Sequence, residues 1–178
     1  VKLSALGDII HAMVALQFVK RKYPDCQIDW IVEEGFKGIL ESNPDIHQVY
    51  TVNIKKAKKN KSLRLLFQEF KKLRKLPKYD VVIDAQGLIK SAIVARMIPS
   101  DKTFGFDKYS IRESIASLLY SHKISIAYDA NTIDRNIKVI CNPLGIEVFS
   151  DAIISKQSFL FSKNEVSLPS APYILFVI

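Results

Sequence analysis

Asp8 follows Gly7 directly in the stretch SALGDIIH, and His11 comes three residues later. A carboxylate set where an apolar start, VKL, hands over to a long apolar run can do one of two things. It can take a proton from a hydroxyl as a general base, or it can cap the following helix by accepting free backbone N–H groups. Residues i and i+3 share a helix face, so Asp8 and His11 could also form an acid/base pair or offer two ligands to a metal. Two ligands do not make a metal site, and none is expected. Further polar groups fall at the ends of other apolar runs: Glu33 and Glu34 before Gly35, then Asp84, Gln86 and Gly87. Asp84 reads as a helix cap rather than a catalyst.

Basic residues are concentrated in one place. The net charge is +8, yet residues 55–78 alone hold eleven Lys and Arg against one acid, Glu69, a net of +10 that leaves the remainder near −2. Lys55, Lys56, Lys58 and Lys59 come directly after an apolar run, where they are expected in a loop at the carboxyl end of a sheet. Open α/β sheets bind ligands at that edge, and a cationic cluster there suits phosphates or carboxylates. Residues 71–78 read as a solvated helix face. Nucleic acid is not favoured as a partner, because the only aromatics in the tract, Phe67 and Phe70, fall on the apolar stripe.

Several elements must hold these groups. QIDWIVEE (27–34), QVYTVN (48–53) and YDVVIDAQG (79–87) read as buried strands. Residues 9–19 are almost wholly apolar and predict one buried helix. Leu63, Leu66, Phe67, Phe70 and Leu73 recur at helical spacing over 62–76, with Lys and Arg opposite. IKSAIVARMI (89–98), RESIASLLY (112–120) and TIDRNIKVICNPLG (132–145) complete the helices, the last closed by Pro143 and Gly145. Strands alternating with helices predict an α/β fold: a Rossmann-like parallel sheet covered on both faces.

Size and composition agree. A chain of 178 residues, 48% hydrophobic and 25% charged, suits one well-buried domain. No apolar run reaches the ~20 residues of a membrane span. The first apolar stretch meets Lys20, Arg21 and Lys22 without a small-residue cleavage site, unlike a secretory signal. Cys26 and Cys141 lack metal or redox spacing, which fits a reducing compartment. GxGxxG, GxxxxGK[ST] and GxSxG are all missing, against the usual dinucleotide, P-loop and hydrolase-elbow sites. VKL reads as the tail of a strand and YILFVI as a strand without its helix, so the chain is expected to be a piece of something longer. The expected division is a domain over 1–162, a linker over 163–172, and over 173–178 the first strand of a second domain. A carboxylate after a glycine turn, facing a lysine-rich loop, suits a base acting on a hydroxyl of an anionic substrate.

The motifs VKLSALGDIIHAMVAL, DWIVEEGF, YDVVIDAQGLIKSA and IRESIASLLY together resemble the ADP-heptose glycosyltransferase family, in order and in register from residue 1 to about 145. VEEGF with DAQGLIKS narrows the resemblance to the members that add the first heptose of lipopolysaccharide. Such enzymes have a two-domain GT-B fold, of which this chain would be the N-terminal, acceptor-binding domain. The resemblance implies inverting transfer of L-glycero-D-manno-heptose from ADP-heptose to Kdo2-lipid A, without a cofactor, peripherally on the cytoplasmic face of the bacterial inner membrane. It puts the family's proposed base on Asp8, with Gly7 giving a tight turn and a close approach for the donor. It puts the acceptor's carboxylates and phosphates on Lys55, Lys56, Lys58 and Lys59, with Arg112 and Arg135 as further acceptor contacts. Gly7, His11, Glu33, Gln86 and Gly87 would line the cleft. Val14 departs from a frequent proline, and the lysines depart from frequent arginines, which bind phosphate bidentately. Within the family the alternative is a later step on a heptosylated core. Outside it, the alternative is a non-catalytic domain for anionic lipid or nucleic acid.

Overall fold

The computed structural model describes residues 1–161, so the expected linker over 163–172 and the strand over 173–178 lie outside the described residues. Among the described residues five strands run in parallel: β1 (Asp29–Glu33) pairs with β2 (Gln48–Val52), and β3 (Tyr79–Ile83) pairs with β4 (Ser100–Phe106), which pairs with β5 (His122–Ile124). The first three residues join the two groups. Lys2 N–H donates to the Ile31 carbonyl (3.2 Å) and Glu33 N–H to the Leu3 carbonyl (3.1 Å). On the other side, Ala85 N–H donates to the Val1 carbonyl (3.0 Å). Residues 1–3 are thus the extended seam between β1 and β3. The chain steps outward from that seam to one side and then to the other, which places a topological switch point beside it.

Alternation along the strands feeds two cores. Leu3, Ile31, Val52 and Val82 face Leu73, Val94 and Ala95, which belong to α4 (Leu63–Leu73) and α5 (Ile89–Met97). Trp30, Val32 and Val49 face the other way, onto Ile9, Ala12, Met13 and Leu16 of α1 (Leu6–Met13) and α2 (Leu16–Lys22). Helix α6 (Thr132–Cys141) packs beside α1 and α2 through Ile137 and Cys141, against Val14, Ala15, Phe18 and Val19. The parallel sheet covered on both faces therefore forms as the strand and helix spacing predicts. A short helix, α7 (Ser150–Ile154), follows.

Three local expectations change. The single helix over 9–19 is two, because the hydrogen bonding tightens at the junction, where Ala15 N–H reaches only back to the Ala12 carbonyl. Residues 114–119 form a 3-10 helix, shorter than the helix expected over 112–120. The lysine tract after β2 is not a loop. It is the helix α3 (Ile54–Lys59), which buries Ala57 and leaves its four lysines exposed. Helix α4 starts as expected, capped by Ser62, whose hydroxyl accepts from Leu65 N–H. Its stripe is only partly covered, however: Leu73 is buried while Leu63 and Phe67 are 82% and 69% exposed.

Gly105 shows how tightly β4 meets its neighbours. A Cβ there would lie 2.3–2.5 Å from three ring atoms of Tyr120. Tyr120 is buried and donates its hydroxyl to Asp84 (2.7 Å), so the ring has little room to retreat. Gly105→Ala is expected to cost about 1–3 kcal/mol, the usual range for overpacking a core. Urea unfolding checks it, and an unchanged midpoint would mean that the ring moves freely.

Candidate functional site

The carboxyl ends of the seam, β1, β2 and β3 open onto one edge. After the seam come Ser4, Ala5 and the first turn of α1. Gly7 lies inside that turn, not in a tight bend, so its expected turning role is not the one it plays. A Cβ at Gly7 would meet nothing within 4 Å, so the surface beside Asp8 is open. At this edge the glycine that the backbone requires is Gly87, with φ of +71° and no room for a Cβ beside the Ile111 and Phe106 side chains.

Asp8 is exposed, and one carboxylate oxygen accepts from Ala5 N–H (3.2 Å). The capping geometry is real, and it uses the same carboxylate that the base role requires. His11 is half-buried. Its Nδ1 is buried and has no hydrogen-bond partner among the described residues, and the Asp8 carboxylate turns to Ala5 N–H instead. Beneath them lies a cation that the sequence did not single out. Lys2 is 7% exposed, and its Nζ donates to the Ala85 carbonyl (2.8 Å) and to Asn136 Oδ1 (3.3 Å). Burial lowers its pKa, and the charges of Asp8 and Asp84 oppose that effect.

The β3 end is a braced turn. Asp84 is fully buried. It accepts from Gln86 N–H (2.8 Å) and Gly87 N–H (3.4 Å) through one oxygen, and from the Ser91 and Tyr120 hydroxyls through the other. Asp84 thus braces the strand-to-helix turn and is not the helix cap expected of it, since both N–H groups it accepts from precede α5, whose N-cap residue is Leu88. Gln86 ties the turn to the seam: Oε1 accepts from Leu3 N–H (2.7 Å) and Ser4 N–H (3.3 Å), and Nε2 donates to Ser4 Oγ (3.3 Å). Lys90, also missed by the sequence reading, reaches the same hydroxyl with its Nζ (3.2 Å). Its signal was present as a basic residue in the first turn of the helix after a strand-end acid. Lys2 had a comparable signal, a lone cation inside an apolar strand.

Glu33, expected to line the cleft, is 4% exposed and accepts from Lys55 N–H (3.2 Å). Burial pushes its carboxyl above the usual range, and the Lys55 N–H and the charges of Lys90 and Lys55 pull the other way. Glu69, also buried, accepts from Asn53 N–H (3.2 Å). Two buried carboxylates therefore pin the start of α3, and with it the orientation of Lys55, Lys56, Lys58 and Lys59. Lys55 also lies over the Phe36 ring, 5.0 Å from its centroid.

Arg112 is exposed, with Glu113 Oε1 3.9 Å away, and Glu113 in turn accepts from Ile89 N–H (2.7 Å). That contact brings Arg112 to the same edge, beside the start of α5. Arg135 is occupied differently. Its guanidinium donates to the carbonyls of Ala127 (2.8 Å), Tyr128 (3.0 Å) and Ser110 (2.5 Å) and lies over the Phe106 and Tyr128 rings. Its donors clamp two loops of its own chain, a structural task that the sequence reading did not foresee. Chemically, the edge offers the exposed carboxylate of Asp8 beside Lys2 and Lys90, a second exposed carboxylate, Glu34, at the end of β1, and the four cations of α3 across the opening. Such a set can hold an anionic substrate and accept a proton from its hydroxyl.

Comparison with known proteins points the same way. Residues 67–178 match the family model described as glycosyltransferase family 9 (heptosyltransferase). The chain is 44% identical over 135 residues to lipopolysaccharide heptosyltransferase 1 of Campylobacter coli, covering 76% of this chain and 38% of that protein. It is 34% identical over 183 residues to lipopolysaccharide heptosyltransferase 1 of Pseudomonas aeruginosa, covering 99% of this chain and 50% of the relative. Among solved structures, Escherichia coli heptosyltransferase WaaC with ADP-2-deoxy-2-fluoro heptose superposes with a TM-score of 0.75 at 33% identity, covering 82% of this chain and 47% of that one. The chain spans about half the length of the curated relatives it matches.

Proposed function

Because the chain belongs to the heptosyltransferases of glycosyltransferase family 9, we propose that it supplies the acceptor-binding half of an inverting glycosyltransferase. That enzyme moves L-glycero-D-manno-heptose from ADP-heptose to Kdo2-lipid A. The observation that carries this reading is the exposed carboxylate of Asp8 at the switch point, with Lys2 and Lys90 close by and α3 across the edge. In the proposed step an acceptor hydroxyl attacks the anomeric carbon of the heptose. The new C–O bond forms as the bond to ADP breaks, and the bonding pair leaves with the β-phosphate. Asp8 takes the hydroxyl proton. The step consumes the donor and calls for no further cofactor.

The lysines of α3 and Arg112 are the proposed holders of the acceptor's carboxylates and phosphates. Gly7 leaves space beside the base, and Gln86 and Gly87 shape the turn facing it. Arg135 contributes by holding the loop before Arg112. The proposed location is peripheral, on the cytoplasmic face of the inner membrane, through the lipid acceptor. Among the described residues no helix is long and apolar enough to cross a membrane. Members of the family named for a different step remain the second reading of the acceptor.

Calorimetry on the 178-residue chain tests the assignment of substrates. A Kdo-containing acceptor is expected to bind measurably, ADP-heptose little or not at all, and no transfer should occur. Micromolar donor binding to this chain would mean that the two substrates have been assigned to the wrong halves.

A further inference from the structure

An open groove of about 790 Å³ lies between α3, α4 and α5, beside the site but outside the chemistry described above. Its apolar lining comes from Ile54 of α3, Leu63, Leu66 and Phe70 of α4, and Ile89 and Ile93 of α5. Leu63 is 82% exposed and Ile89 37% exposed, so apolar surface is left to water on both banks. Solitary exposed leucines need no explanation, but apolar side chains from three elements converging on one groove do. Its polar lining is mostly cationic: Lys58, Lys61 and Lys90. Lys90 also reaches Ser4 Oγ, which connects this groove to the edge that carries Asp8. The one acid in the lining, Glu113, is already engaged by Ile89 N–H.

We propose that this groove takes the alkyl chain of an anionic amphiphile, whose head group is held by the ammonium groups of Lys58, Lys61 and Lys90. The charge of the lining selects an anion, and the apolar walls select a chain rather than a second sugar. The proposal rests on the acceptor-side reading above and extends it, giving the hydrophobic part of the acceptor a seat of its own. A chain lying in the groove would run away from the base, with its head group toward Lys90.

The test uses three soluble probes, each below its micelle concentration: dodecyl phosphate, butyl phosphate and dodecyl maltoside. Each is titrated into the 178-residue chain by calorimetry. Dodecyl phosphate is expected to bind at least about tenfold more tightly than butyl phosphate, since burying even a few additional methylenes suffices for that ratio, and more tightly than dodecyl maltoside, whose equal chain carries a head group without charge for the lysines. The double variant Leu63→Ser/Ile89→Ser alters exposed positions only. It should keep the circular dichroism of the parent and the butyl phosphate affinity, and should lose the dodecyl preference. Equal binding of dodecyl and butyl phosphate would overturn the proposal, as would a chain-length preference that survives the double variant. Dodecyl maltoside binding as tightly as dodecyl phosphate would overturn the assignment to an anion. No heptose donor or Kdo sugar enters this experiment. Failure here therefore leaves the transferase reading intact, and failure of the Kdo-acceptor titration leaves the groove intact.

Discussion

Asp8→Asn in the complete enzyme is expected to lower turnover about 10²–10⁴-fold, the usual cost of removing a general base, while the fold and acceptor binding persist. Asparagine is the informative replacement because it separates the two roles that the sequence left open. Its side-chain oxygen can still accept from Ala5 N–H, as the aspartate does at 3.2 Å, so the helix cap survives. It cannot take up a proton at neutral pH. A loss of rate with an unchanged urea midpoint therefore reports proton transfer rather than helix stability. The buried ammonium of Lys2 remains in the variant, so electrostatic attraction for an anionic substrate is little reduced. Single-turnover rates at saturating acceptor make the comparison cleanly. Turnover within a factor of a few of wild type would leave Asp8 as a cap alone.

Changing Lys55, Lys56, Lys58 and Lys59 together to Ala is expected to weaken acceptor binding by about tenfold or more, each exposed charge contributing modestly. It should also flatten the salt dependence, because exposed charges are screened over roughly 8–10 Å at ordinary ionic strength. Donor affinity should barely change. Alanine is the best helix former, so α3 itself should persist. Its start is held by backbone bonds to Glu33 and Glu69 that the substitutions do not touch. Titrations of acceptor and of ADP-heptose at two salt concentrations give the answer. An equal loss for the donor would put these cations at the wrong substrate.

Much of this arrangement was legible beforehand, and the exceptions have physical causes. Strands β1, β2 and β3 announce themselves through short β-branched and aromatic runs, two of them ending in acids, Glu33 and Asp84, and α4, α5 and α6 through their helical patterns. Strand β4 does not, because Ser100, Asp101 and Lys102 open it and its apolar residues come only at the end. Strand β5 is three residues long, too short for any period to show. The KKAKKNK tract reads as a ligand-binding loop at the sheet edge rather than as a helix because nothing in it reveals that Glu33, twenty-two residues earlier, will receive the N–H of Lys55. Arg135 was read through its resemblance to relatives, but its chemistry is decided by three carbonyls that only the folded loops bring together. Asp8 stands out in the sequence by its place after Gly7, and the structure leaves it exposed at the edge. The glycine's role was misjudged, since a helical turn and a tight bend look alike in SALGDIIH. Leu63 and Phe67 fit the apolar period of their helix yet remain outside the core, and periodicity alone cannot say whether a stripe will be covered.

The seam formed by residues 1–3 also bears on how the molecule is made. It must pair on one side with β1, about 30 residues away, and on the other with the end of β3, more than 80 residues away. At typical synthesis speeds of about 5–20 residues per second, the second partner leaves the ribosome several seconds after the seam does. In that interval β1 and β2 can pair next to residues 1–3, leaving the seam's other edge unpaired and open to adhesion by any passing strand. Closure of that edge by β3 is also what brings Gln86 and Lys90 to Ser4. The cleft is therefore completed by the same late event that removes the aggregation hazard, and a nascent chain stalled before residue 87 would be both unfinished and sticky.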